Sequence, residues 1–418
     1  MALKLKTITF NHNPADPTVS ALNIRRNKDF EVLVPEYDIA NPRPAVEQCA
    51  AYAIAPTTAQ VVTVALSFGI GQPAQAAFEV KASGGGVLGA LAPFPIAFNN
   101  TAQATAAVPL SARQFNAIGR HDVSWDWQYR EKGTVPWHPL VTTSHRIYIL
   151  LDLPPAPWSQ AFADKRNPWT DLLDECCAVA GGTKTPENAT RAVARRIHLG
   201  YALKYDIQSG ADRYDFVFTG MQFNLTDWID FVIRGNAPTL PKFCSGGLHE
   251  YPDFMIVNCY DCAASLGLMS KVLGAPVDYH FHNPFGYLRY VLPIGRGKCN
   301  NPFPGCLSAA FALGPDDARS HFGNHAYTKL SGATNFDACM REWVPLWCAI
   351  LYLLLWLIVL ILTFGTVNLQ GLRDRAEGWL FDLSQATYNQ RTIDISQPFE
   401  AAAAGGVPSL QVLDFQIA

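Results

Sequence analysis

The chain has 418 residues, enough for two or three domains, each with its own core. Apolar residues make up 49% and charged residues 16%, against roughly 25% charged in ordinary soluble domains, so part of the chain is screened from water more fully than usual. A net charge of −3 without a long basic or acidic run excludes a nucleic-acid footprint, and ten cysteines at this length are too few for a disulfide scaffold.

The opening "MALKLKTITFNHNPADPTVS" has no apolar core of signal-peptide length. Sec export is therefore not expected, and the cysteines are expected as thiols. Residues 1–155 read as β: "AQVVTVALSFGI", "AQAAFEVKAS", "HDVSWDWQYR" and "SHRIYILLDL" are short β-rich runs between Gly, Pro and Asn clusters. In "VSWDWQYR" Val123, Trp125, Trp127 and Tyr129 alternate with polar residues, the mark of a strand with one buried face. Such runs without intervening helices predict an Ig-like β-sandwich, with His145 and Tyr148 joining the tryptophans in its core and rim. The proline cluster "LPPAPW" at 153–158 marks its boundary.

Helical spacing follows. "NPWTDLLDECCAVAGG" places Leu172, Leu173, Cys176, Cys177 and Ala180 on one face and ends on two glycines. "TPENATRAVARRIHLGYAL" repeats the pattern from Thr185 or Pro186, and "LTDWIDFVI" predicts a third, short helix. The run 344–367 is 24 residues without a charge. As a helix it would extend about 36 Å, enough for a hydrocarbon layer of roughly 30 Å. A transmembrane helix is expected there, and with it a membrane partner and a membrane-associated protein, held at the cytoplasmic side or delivered by a dedicated secretion machine. Residues 368–418 form a C-terminal segment, within which "GWLFDLSQATYNQRTIDIS" is a candidate to return to the preceding domain.

The stretch "NCYDCAASLGLMSKVLGAP", 258–276, predicts a helix with Ala263, Leu266, Met269, Val272 and Leu273 as its buried stripe, stopped by Gly274 and Pro276. Cys259 stands at its N-terminus, where unpaired N–H groups and the helix dipole favour a thiolate and a developing oxyanion. Cys262, one turn inside, has neither advantage and reads as a small buried thiol, and Asp261 as a first-turn dipole residue. A thiol nucleophile needs a base and a group to orient that base. Downstream, "HAYTKL" and "ATNFDA" flank "LSG", which suits a hairpin loop. Pairing centred on Ser331 sets Lys329 opposite Ala333, Tyr327 opposite Asn335 and His325 opposite Asp337, on one face and in hydrogen-bonding reach.

Cys259-Tyr-Asp-Cys-Ala, Leu273-Gly274-Ala275-Pro276, His325-Ala326-Tyr327 and Phe336-Asp337 together resemble the transglutaminase-like superfamily. Its pattern is C-x-D-x-A, a helix closing on L-G-I-P, an H-A-W-type strand and a hydrophobic-Asp strand. The departures are Ala275 for a branched residue and Tyr327 for Trp. The resemblance covers about 160–340. It implies an α+β, papain-type domain over 156–343, with Cys259 as nucleophile, His325 as base and Asp337 as the orienting acid. It also implies amide acyl transfer on a protein or peptide, by a peptidase, deamidase or transglutaminase that needs no cofactor.

Tyr260, His280, His282 and Tyr327 are candidate substrate contacts around that cleft. Cys259-x-x-Cys262 is also a legitimate zinc half-site, but Cys299 and Cys306 are spaced too widely to complete an ordinary knuckle, so no metal is expected. Two other classes fit the same residues: a catalytically silent binding protein that keeps the fold, and a delivered effector that inserts 344–367 into a membrane.

Overall fold

The computed structural model describes residues 2–54, 62–110, 115–133, 136–158, 165–206, 212–216, 222–237, 242–244, 247–249, 253–283, 291–295, 325–330, 335–342, 409–413 and 416–417. The chain divides into two compact units, Met1–Thr185 with Lys271–Ala275, and Pro186–Ser270 with Pro276–Ala418.

The first unit is built on β1 (Lys4–Thr9), β2 (Tyr37–Asp38), β3 (Cys49–Ala53), β4 (Thr63–Gly84), β5 (Leu91–Pro109), β6 (Gly119–Glu131) and β7 (His138–Leu150). They form one seven-stranded sheet in the order β2-β1-β4-β6-β7-β3, with β5 on the other side of β4. This corrects the predicted sandwich: the fold is mixed α/β with a curled sheet. The reason lies in β4. "AQVVTVALSFGI" and "AQAAFEVKAS" read as two strands parted by "GQP", yet β4 is continuous over 22 residues, with its register shifting between Gly69 and Ala74. Its first half pairs with β1 and its second with β6. The bulge bends the strand instead of ending it. Val64, Leu66 and Phe68 before the bend thus share a core with Phe78, Val80 and Ala82 after it.

Trp125 and Trp127 of β6 lie in that core, as their alternation predicts. Each indole N–H is satisfied, Trp125 donating to the Gly89 carbonyl at 2.9 Å and Trp127 to the Thr143 hydroxyl at 3.0 Å. A buried aromatic ring of this size contributes on the order of 2–3 kcal/mol if its polar atom is paired. His145 and Tyr148 of β7 are buried as well. Helix α1 (Thr170–Val179) buries Leu172, Leu173, Cys176 and Cys177, and stops at Ala180 before Gly181 and Gly182.

In the second unit α2 (Pro186–Gly200) opens on proline, whose missing N–H costs nothing in a first turn. "LTDWIDFVI" becomes α3 (Leu225–Asp227), capped by Asn224, and widens into a π-helical turn over Trp228–Ile233. Helix α4 (Cys259–Val272) follows the short strand Ile256–Val257, which runs parallel to Lys204–Tyr205. The predicted stripe of α4 is buried, and so are Ala264, Ser265, Leu268 and Ser270 on its other sides. A four-stranded sheet orders Asn335–Phe336, His325–Leu330, Val277–Asn283 and Ser409–Leu413. The Thr328 hydroxyl ties it to α4 by donating to the Ala263 carbonyl at 2.9 Å.

The fold class is corrected on a second count. Among the described residues no helix is long and apolar enough to cross a membrane. The segment 344–367, on which that expectation fell, lies outside the described residues, as do Cys299, Cys306 and "GWLFDLSQATYNQRTIDIS".

Candidate active site

Cys259 is the first helical residue of α4, and Asn258 caps it. The Asn258 side chain accepts the Asp261 N–H at 3.0 Å, and the Asp261 carboxylate accepts the Asn258 N–H at 3.2 Å. This reciprocal pair is a capping box, legible in "Asn258-x-x-Asp261". Asp261 does more than complement the dipole, because its fully buried carboxylate also accepts the N–H groups of Arg213 (3.0 and 3.1 Å) and Tyr214 (2.7 Å). The segment around Arg213 and Tyr214 is thereby fixed to the first turn of α4 by one carboxylate, and no sequence spacing announces that long-range contact.

His325 begins the strand His325–Leu330 and is fully buried. Its Nε2 lies 2.8 Å from Oδ2 of Asp337, and Cys259 lies near enough to act on the charge of the ring. Burial alone would lower the His325 pKa, but the Asp337 charge and hydrogen bond, together with Cys259, outweigh it and push the value up to about 10. Oδ1 of Asp337 accepts the N–H groups of Cys339 (2.9 Å) and Met340 (3.1 Å), which fixes the carboxylate.

The hairpin reaches this pairing in a register other than the predicted one. Thr328 pairs with Phe336 and Lys329 with Asn335, so every partner is displaced by two positions from the arrangement centred on Ser331. A two-residue displacement preserves faces, because side chains alternate with period two. His325 and Asp337 thus remain on one side as diagonal neighbours, and Asp337 lies just past the strand Asn335–Phe336, in the turn that holds it.

The remaining candidates fall around this centre. His280 stacks on Tyr327, with ring centroids 5.5 Å apart and an interplanar angle of 24°. Burial lowers the His280 pKa, with the charge of Lys329 acting in the same direction. Burial and then the Asp337 charge raise Tyr327 to about 12. His282 holds the ladder position directly across from His325. Tyr260 packs on Phe281 at 5.6 Å.

Cys262 is fully buried, and burial raises its thiol. Tyr205 is fully buried and close enough to Cys259 and Asp337 to feel their charge, and no motif marks it. His198 of α2 also reaches this region, its Nδ1 lying 2.9 Å from the Ala338 carbonyl next to Asp337. Its place on the apolar face of α2, next to Ile197, was the one available signal. Among the described residues no three His, Cys, Asp or Glu side chains converge as metal ligands.

No protein-family model matches the chain, and no curated protein matches it. Among solved structures, red sea bream transglutaminase is similar over 67% of this chain at 10% identity and a TM-score of 0.31. The chain spans about half, 48%, of that protein's length. A likeness this slight transfers nothing to the site.

Proposed function

We propose that the protein is a cysteine-dependent amide acyl-transfer enzyme acting on a protein or peptide. The observation that carries the reading is the buried His325 ring, 2.8 Å from the Asp337 carboxylate and close enough to Cys259 for that side chain to raise its pKa. A thiol at a helix N-terminus, an imidazole beside it and a carboxylate behind the imidazole are the three parts nucleophilic catalysis requires.

In the proposed cycle the thiol proton already resides on His325, as the raised pKa of the ring favours, and the Cys259 sulfur attacks the amide carbonyl carbon. Negative charge develops on the carbonyl oxygen, for which the first-turn N–H groups of α4 and its dipole provide a favourable field. The C–N bond then breaks, His325 returns the proton to the departing amine, and a thioester on Cys259 remains. Water resolves the thioester in a peptidase or deamidase, and an amine resolves it in a transglutaminase. Asp337 keeps one imidazole nitrogen protonated and the ring oriented throughout.

The test compares wild type with Cys259→Ala. The wild type is expected to bind a thiol-reactive electrophile at Cys259 and to release ammonia or amine from a glutamine-containing peptide, and the variant to do neither. Equal labelling of the two, or amide turnover that survives the substitution, sinks the reading. A folded, labelled wild type without turnover would identify a silent binding protein.

A further inference from the structure

Among the described residues β5 hydrogen-bonds to β4 alone, so one edge of this 19-residue strand has no partner. The strands at the two ends of the sheet order are short: β2 has two residues and β3 has five. Leu110, immediately after β5, donates its N–H to the Val62 carbonyl. N–H direction alternates along a strand. Val108, Ala106 and Ala104 therefore also point toward β4, while Pro109, Ala107, Thr105 and Gln103 point to the open side. The same four residues carry exposed side chains. The Gln103 carbonyl, on that side, accepts the Thr101 hydroxyl at 2.8 Å in place of a neighbouring strand.

Open edges in native sheets are ordinarily blunted by lysine, inward charge, proline or a bulge. Pro93 and Pro95 remove donors from the first half of β5, and its register with β4 shifts near Thr101. The second half has no such device before Pro109, and none of the 19 residues is charged. A row of unpaired N–H and C=O groups in extended geometry selects another strand. With no charge, and with Gln103, Thr105 and Ala107 as the exposed side chains between the bulge and Pro109, this one has nothing to select a foreign sequence, and it is its own complement.

We infer that β5 pairs antiparallel with β5 of a second copy, across a twofold axis at Thr105. Such an interface is isologous. It sets Thr105 against its own counterpart and Gln103 against Ala107, and no like charges are opposed. The β4 ladder is left intact, since the pairing uses only groups that point away from it.

Sedimentation equilibrium of the full chain, from micromolar to submillimolar concentration, tests this. The wild type is expected to shift from monomer to dimer mass. Thr105→Lys and Thr105→Glu, each opposing like charges across the axis, are expected to stay monomeric. Their melting temperature is expected to equal that of the wild type at concentrations where the wild type is itself monomeric. An equimolar mixture of the two is expected to recover the dimer. A wild type that is monomeric throughout, a Thr105→Lys variant that dimerises as the wild type does, or a mixture that stays monomeric would each overturn the inference. Hydrogen exchange gives a second measurement on unmutated protein. The amides of Thr105 and Ala107 are expected to slow as concentration rises, and exchange independent of concentration overturns the pairing.

Discussion

Asp337 presents Oδ2 to Nε2 of His325 at 2.8 Å while its other oxygen is held by two backbone N–H groups of the turn that follows it. The pair is buried, so its electrostatics are little screened by solvent, and it gives the protein a characteristic pH dependence. In the folded chain His325 titrates near 10 instead of 6.5; burial opposes the charge, and the Asp337 carboxylate and Cys259 overcome it. Between those values the folded state holds a proton that the unfolded state releases. The stabilisation is complete below pH 6.5 and is lost as pH rises through about 10. Asp337→Asn removes the charge that raises the imidazole. The urea midpoint of the wild type is expected to fall more steeply across this window than that of the variant; parallel curves would disprove the coupling.

Thiol reactivity follows from the same arrangement. Burial pushes Cys49 up to about 12, and raises Cys176, Cys177, Cys262 and Cys339 as well. Among these six described cysteines Cys259 is the one that acts on the His325 ring. Brief treatment with iodoacetamide, read by peptide mass spectrometry, is expected to alkylate Cys259 ahead of the other five. His325→Ala is expected to abolish that preference and to lower kcat/KM on a responsive amide substrate by roughly 10²- to 10⁴-fold. Alkylation of Cys262 or Cys339 at the wild-type Cys259 rate would contradict the assignment.

Asp261 offers a test of structure separate from chemistry. Its carboxylate receives backbone N–H groups from Arg213, Tyr214 and Asn258. Asp261→Ala strands two buried donors, of Tyr214 and Asn258, and the half-buried N–H of Arg213, each buried one costing about 1–3 kcal/mol. A loss of about 3 kcal/mol or more is therefore expected in denaturant unfolding. Asp261→Asn, which keeps one acceptor oxygen, is expected to lose less. Equal losses would mean that charge, and not the donor count, sets the role of this residue.

What the sequence disclosed and what it concealed divide along physical lines. Local patterns were legible. Val123, Trp125 and Trp127 alternate into the core as their spacing requires, and Pro186, Asn258 and Gly274 bracket helices by rules that act within one turn. Gly274 takes φ +86, and a Cβ there would meet the Asp152 carbonyl oxygen at 2.4 Å, so the stop at Leu273-Gly274 has a steric cause as well as a conformational one. Long-range relationships were not legible. "GQP" suggests a turn in isolation, and only pairing with β5 on one side and with β1 and β6 on the other carries β4 through it. The hairpin arithmetic found the right face with the wrong partners, because parity survives a shift of two residues whereas opposition does not. The clamp from Asp261 to Arg213 and Tyr214 spans nearly fifty positions, beyond the reach of any periodicity.

Glu36 gives the first unit a pH dependence of its own. Its buried carboxylate accepts the N–H groups of Phe10 at 2.8 Å and Asn11 at 3.0 Å, pinning the segment around it to the end of β1. Burial raises its pKa from 4.5 to about 7, and the two N–H bonds and the Arg43 charge only partly offset that rise. Here the folded state keeps a proton that the unfolded state has already lost, so stability is greatest below pH 4.5 and falls as pH rises toward 7. Glu36→Gln cannot ionise, so its stability is expected to lack that decline. The difference in melting temperature between variant and wild type should therefore change in the variant's favour from pH 4.5 to 7 and then level off. A difference that stays flat across this interval would show that Glu36 titrates near its ordinary value and that the carboxylate is charged throughout.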